Sequence, residues 1–363
     1  MSYDIILAGL GAVGSSTAFH LSQRGLRVLG LDRFRPPHKQ GSTHGGSRVI
    51  RETAFEHPLY VPLARRAYEN WRRLEAATGE SLLRVTGVLY VGPPGETLVA
   101  GTLTSARLHG IRHETLDATA LAQRYPDFSA VGEAIGVFEP GAGWIDPERS
   151  VAAALPFAMD HGVELRFEEP LLRWEAAGRG VRVTTAGGQY EAGKLLLAAG
   201  PWMPGMLGAD CAGLSVERQV QHWFAPAPGA ALGRLPVFIR QTAEAVFYAL
   251  PTAATADGAV KVAVHHDGAP TTPATVQRVV GEEEIAHTKS LSRGTCRRWP
   301  GSTVRAPSAC TRTARTANSS STATRRTPPW SSPVPVRGSG SSSPAWWVRF
   351  SPGCCWTRPL RST

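Results

Sequence analysis

At 363 residues the chain is long enough for one large domain or two interleaved ones. Its formal net charge of +10 invites a nucleic-acid partner, but residues 288–363 hold 13 Lys+Arg and no Asp or Glu, leaving a body with a net of −3. Cys211 is alone in that body, while Cys296, Cys310, Cys354 and Cys355 lie in the tail, so neither a disulfide framework nor a zinc spacing emerges.

The chain opens directly into an apolar strand pattern, without a basic n-region or cleavage site, and no apolar run reaches the ~18 residues of a membrane span. A cytoplasmic protein with no membrane partner is the expectation. Residues 3–9 read as a buried strand, Ala12 to Arg24 as a helix and Leu26 to Asp32 as a second buried strand. Between the first two stands Gly9-Leu-Gly11-Ala-Val-Gly14, a G-x-G-x-x-G turn. Its glycines allow a tight turn and close approach of a pyrophosphate to the helix N-terminus. Asp32, eighteen residues past Gly14, ends the second strand where a ribose-binding acid belongs.

Pro58 to Ala77 has helical spacing, Gly87 to Gly92 reads as a strand, and Glu96 to His109 as a helix. Asp146-Pro147 suits an N-cap followed by Pro, opening a helix to His161. Strand patterns follow at Glu164–Phe167, Gly180–Thr185 and Lys194–Ala198, then at Val237–Ile239, Val246–Leu250 and Val260–Val264. The apolar run Lys194-Leu-Leu-Leu-Ala-Ala-Gly200-Pro-Trp202 suits a strand returning beneath a flavin, which favours FAD over NAD. Beyond about Glu284 the patterns stop, and the tail is rich in Ser, Thr, Arg and Pro.

These residues resemble the monomeric sarcosine oxidase and N-methyltryptophan oxidase family, within the D-amino-acid-oxidase-like flavoproteins. The resemblance runs to about residue 285 and rests on GLGAVG, LDRFRPPHKQGSTHGGSRVIR (residues 31–51), TGVLYVGP, FEPGAGWIDPE, LAAGPW and KVAVHH. It implies an α/β two-domain flavoprotein, with a Rossmann-like FAD domain interleaved with a mixed, largely antiparallel substrate domain. The expected partition is FAD domain 1–85 and 145–220, substrate domain 86–144 and 221–285, and an aberrant, disordered tail 286–363.

By position, the resemblance places Gly9, Gly11, Gly14, Asp32, Arg33, Ser42, His44, Arg48, Gly200 and Trp202 at the cofactor. It makes Arg51 the clamp on a substrate carboxylate, a role suited to a bidentate guanidinium. Tyr248 and His265 fall near the substrate amine, and Lys261 where a fixed cation would assist oxygen reduction. On a strand, Lys261 and His265 share one face and His266 points away. The implied reaction is hydride transfer from the carbon beside a neutral amine to the flavin, giving an imine and, with O2, hydrogen peroxide. An N-methyl substrate would yield formaldehyde and the primary amino acid. The family also implies a monomer. A flavin oxidase or dehydrogenase of cyclic imino acids, and an inactive flavoprotein, remain open.

The family ends in a cysteine in a C-x-Y-T context that binds flavin covalently, a G-x-G-F-K-F stretch and a closing helix; none is present as written. Codons displaced to take one residue's third base and the next residue's first two can restore LPALAGLDGPRPVCLYT, GFKFAP and VVGEVLARLLLD. The restored cysteine straddles Ser308 and Ala309 and is not Cys310. A frame break between about Glu284 and Arg293 is therefore expected, with an uncovered sheet edge, poor solubility and weak, noncovalent flavin binding as its consequences.

Overall fold

A computed structural model describes residues 2–126, 128, 133–208, 214–225, 235–251, 258–265, 268–293, 295, 303–305 and 308–314. Cys211, Cys296, His266 and the tail from 315 onward lie outside the described residues.

The chain begins with β1 (Ser2–Ala8), α1 (Ala12–Ser22) and β2 (Val28–Leu31), then runs irregularly to β3 (Arg48–Ile50). Next come α2 (Val61–Thr78), β4 (Leu83–Val85), β5 (Val88–Gly92), α3 (Thr97–His109), β6 (Glu114–Leu116) and α4 (Ala118–Arg124). Two short strands, β7 (Ile135–Glu139) and β8 (Gly143–Ile145), lead into α5 (Pro147–Asp160). Asp146 caps α5 by accepting from the Arg149 N–H at 2.9 Å, as the Asp-Pro start anticipates. The middle of the chain supplies β9 (Glu164–Arg166), β10 (Arg173–Ala177), β11 (Gly180–Thr185), β12 (Gly188–Leu197) and α6 (Met203–Leu207). The remainder is β13 (Leu214–Val220), β14 (His222–Phe224), β15 (Val237–Gln241), β16 (Val246–Leu250), β17 (Val260–Val264), α7 (Glu282–Arg293), β18 (Thr303–Arg305) and β19 (Ser308–Ala314).

Two large sheets take their strands alternately from the sequence. The first has the order β10-β11-β12-β1-β2-β9, parallel from β12 to β9. The run from Lys194 does return beside β1, with Ile5 opposite Lys194 and Ala8 opposite Leu197. Because α1 and α5 cover one face, β2 and the C-terminal end of β1 (Ile6–Ala8) are apolar and buried, as parallel strands are. The second sheet has the order β18-β14-β17-β16-β15-β5-β7-β6 and is antiparallel except between β15 and β5. One face packs Leu89, Phe238, Phe247 and Val262 with helices α4 and α7, and the other packs Tyr90, Ile239 and Leu250 with α3, Val49 and Trp144. A small β3-β8-β4 sheet lies between them in sequence.

The expectation of disorder from residue 286 onward needs correction. Residues 286–293 continue α7, while β18 pairs with β14 and β19 pairs with β13. Three glutamates, Glu282 to Glu284, open α7 at the positive end of the helix dipole. Ser308–Ala314 contains no Gly or Pro, and an edge strand offers backbone hydrogen bonds to any extended segment.

Candidate active site

The glycine turn forms one wall of a cavity of roughly 1000 Å³. Gly9 has φ +97°, and a Cβ there would lie 2.5 Å from the Ala198 carbonyl oxygen. A Cβ on Gly14 would lie 1.8 Å from the Gly9 oxygen. Only glycine lets the turn, the first helix and the returning strand meet this closely. Asp32 is buried and accepts from the N–H groups of Leu10 at 2.6 Å and Phe34 at 2.8 Å, locking β2 to the turn.

From Asp32 the chain wraps the cavity through Arg33, Ser42 and Thr43. Arg48 fixes this wrap, donating to the carbonyls of Ser42 at 2.8 Å, His44 at 2.6 Å and Ser47 at 2.8 Å. Gly200 and Trp202 also line the cavity, with Trp202 packed against the wrap at Phe34 (5.7 Å between ring centroids) and beneath the Arg33 guanidinium.

The far end of the cavity is built on the second sheet. Register places Tyr248 opposite Ala263, and the His265 N–H donates to the Val246 carbonyl at 2.7 Å. Tyr248, His265 and Lys261 thus share one face, as their spacing requires. Tyr248 and His265 line the cavity with Phe55, Ile239, Val246 and Val264. Burial pushes the Tyr248 hydroxyl up from its usual pKa, opposed by the Arg48 charge.

Arg51 also lines the cavity. Its guanidinium donates to the Thr53 carbonyl at 2.6 Å and to the Glu56 carboxylate at 2.7 Å, and lies 4.7 Å from the centre of the Phe55 ring. Burial acts to discharge it, but the Glu56 carboxylate outweighs that and holds it protonated. Burial likewise pushes the Glu56 carboxyl up, and Arg51 brings it below the usual carboxylate value. A guanidinium has five N–H donors, so these two bonds leave capacity for an incoming carboxylate.

Gly14, His44 and Lys261 do not line the cavity. Gly14 acts through helix packing. His44 is 5 % exposed, and burial, followed by the Arg48 charge, pushes its imidazole down to about 4. Lys261 is fully buried rather than solvated; its ammonium donates to the carbonyls of Gly45 at 2.9 Å and Ser47 at 2.7 Å. It therefore stands behind the Gly45–Ser47 turn. Two further contributors were not among the site residues expected from the sequence, although Glu148 closes the FEPGAGWIDPE segment. Gln221 lines the cavity with a buried Oε1 lacking a hydrogen-bond partner, and Glu148 accepts from the N–H groups of Gly45 at 2.6 Å and Gly46 at 3.1 Å.

A flavin dinucleotide fits this residue set: a glycine cradle, a ribose acid, an apolar wall, and an unpartnered Gln221 Oε1 on the cavity lining. A family model described as FAD dependent oxidoreductase matches residues 4–331. The chain belongs to this family.

Within the FAD-dependent oxidoreductases, the chain is 42 % identical over 288 residues to monomeric sarcosine oxidase of Streptomyces avermitilis, covering 78 % of this chain and 75 % of that protein. It is 33 % identical over 270 residues to N-methyl-L-tryptophan oxidase of Yersinia pestis, covering 74 % and 71 %. Among solved structures, the open form of NikD, an amino acid oxidase essential for nikkomycin biosynthesis, aligns with a TM-score of 0.76 at 25 % identity, over 86 % of this chain and 82 % of that one. The chain is thus an FAD-dependent oxidoreductase of two-domain architecture. No helix among the described residues is long and apolar enough to cross a membrane. The family match continues to residue 331, beyond the last motif legible by eye.

Proposed function

We propose that this FAD-dependent oxidoreductase oxidises a secondary, N-methyl amino acid such as sarcosine or N-methyltryptophan to its imine, with O2 reduced to hydrogen peroxide. The observation that carries this reading is Arg51, charged and facing the cavity end lined by Tyr248 and His265. The names and identities of the relatives support the same substrate class.

Gly9, Gly11, Asp32 and the Arg33–Arg48 wrap would hold FAD, which when bound would supply the two-electron acceptor. Arg51 grips the substrate carboxylate and sets the amine carbon in place. Phe55, Ile239, Val246 and Val264 exclude water, so the site disfavours an ammonium and favours the neutral amine that reacts. Tyr248, uncharged, and His265 supply hydrogen-bonding groups around the nitrogen. Lys261 holds a buried positive charge behind the Gly45–Ser47 turn, suited to stabilising negative charge that develops on oxygen. The molecule acts as a monomer on small substrates in the cytoplasm.

A frame break between Glu284 and Arg293 belongs to the same reading. The absence of acidic residues from 288 onward and the recovery of three family features on displacement both support it. As written, the chain lacks the covalent-flavin cysteine and binds FAD without a covalent bond. The alternative, a genuine tail, draws support from the family match to residue 331 and the pairing of β18 and β19.

The test is to sequence the DNA encoding residues 280–300 and compare the chain as written with a frame-restored version. The restored protein should keep its flavin through acid precipitation and form one peroxide per N-methyl amino acid consumed. A matched N-methyl amine without a carboxylate should be a poor substrate. Dye reduction without peroxide would instead identify a dehydrogenase, and faster turnover of a cyclic imino acid would reassign the substrate. An intact reading frame with covalent flavin in the protein as written would remove the frame argument.

A further inference from the structure

The chemistry above does not use Glu139, the last residue of β7, which is 1 % exposed. A carboxylate this deep is costly unless donors surround it. One oxygen accepts from the Glu52 N–H at 2.7 Å; the other accepts from the Tyr90 hydroxyl at 2.9 Å, the Thr53 N–H at 3.4 Å and the Thr53 hydroxyl. The Thr53 and Tyr90 hydroxyls also lie 2.8 Å apart, but each has a single hydrogen, and the carboxylate takes both.

All these donors belong to, or brace, the turn that follows Arg51. The Thr53 carbonyl is the one that receives the Arg51 guanidinium. Helix α3 seals the other side. Ser105 donates to the Ala54 carbonyl at 2.6 Å, and a Cβ on Gly101 would lie 2.1 Å from the Phe55 carbonyl oxygen. Residues 52–54 are therefore tied into the protein, while Arg51, Phe55 and Glu56 line the cavity.

We infer that Glu139 is a positioning residue for Arg51, holding the Glu52–Thr53 turn so that the guanidinium presents its free edge to a substrate carboxylate. The inference rests on Arg51 being the carboxylate clamp. Glutamate suits the place because an ionised carboxyl is acceptor-only with about four lone-pair sites, matching four donors. Glutamine would turn an amide donor onto the Thr53 N–H. The Glu139 charge also adds to the field that holds Arg51 protonated.

The test compares two unreactive ligands by calorimetry on the flavin-loaded protein: methylthioacetate, in which sulfur replaces the amine nitrogen, and its uncharged amide. Glu139→Gln should weaken the acid about tenfold or more and the amide less than about twofold. Tyr90→Phe, which deletes one donor and keeps the packing, should produce a smaller loss, about threefold, confined to the acid. In an Arg51→Met background, Glu139→Gln should cost nothing further. Equal losses on both ligands, no loss on either, or additivity with Arg51→Met would overturn the inference. If Glu139→Gln does not fold, Tyr90→Phe decides alone, and an unchanged acid affinity overturns the inference. If the parent protein binds acid and amide equally, the clamp reading of Arg51 fails first. If Arg51→Met abolishes the preference but Glu139→Gln leaves it intact, only the positioning role fails.

Discussion

Replacing Arg51 with methionine keeps much of the side-chain length and removes the fork that grips a carboxylate. A charge-assisted bond contributes about 1.5–3 kcal/mol, so kcat/KM for an N-methyl amino acid should fall about 10- to 100-fold, with little change for an amine lacking the carboxylate. Steady-state kinetics on that substrate pair checks this, and an equal drop on both would mean that Arg51 serves the fold. The motif segment made Arg51, Arg48 and Asp32 legible because each is a residue type matched to one chemical task. Glu139, although it lies in the FEPGAGWIDPE segment, and Gln221, between β13 and β14, were not legible as site residues, because the residue type alone reads as a solvated face. Only their burial and partners distinguish them.

Among the elements, α5 does more than cover the parallel sheet. Its first turn carries Glu148, whose carboxylate accepts from the consecutive N–H groups of Gly45 and Gly46. The same turn offers the Gly45 and Ser47 carbonyls to Lys261 from β17. Helix and strand thus grip the flavin-wrapping segment from two sides. Glu148→Ala removes one grip while sparing the glycine cradle, and titration of apoprotein with FAD should show about tenfold weaker binding. An unchanged FAD affinity would show that Arg48 and Lys261 suffice. The spacing of apolar residues foretold β1, α1, β2, α2, α3, α5 and β15 to β17. It did not foretell β18 and β19, whose pairing depends on the edges of β14 and β13 rather than on their own composition.

Across the whole molecule, buried histidines link stability to pH. Burial pushes His222 down to about 4, with the Glu284 charge opposing; burial and Arg48 do the same to His44. In the unfolded chain both take a proton near the ordinary value of about 6.5. Between that value and about 4 the unfolded state binds more protons, so stability falls as pH falls, by at most about 1.4 kcal/mol per unit for each histidine. The loss levels off once the folded histidines titrate. His222→Gln removes one titration, so its melting temperature should decline less between pH 7 and pH 5 than that of the parent. Parallel curves would assign the acid sensitivity to other groups.

The sequence by itself determined the cofactor class and the parallel core of the first sheet. Glycines packed against backbone, an acid at a strand end and apolar runs have local causes that survive in one dimension. Tertiary structure alone decided that Lys261 stands behind a turn instead of on the cavity wall, that Glu148 reaches across to Gly45 and Gly46, and that Glu139 accepts from the Glu52 and Thr53 N–H groups. Those roles depend on which buried donors meet which acceptors across about a hundred residues or more of chain, and no spacing rule records such a meeting.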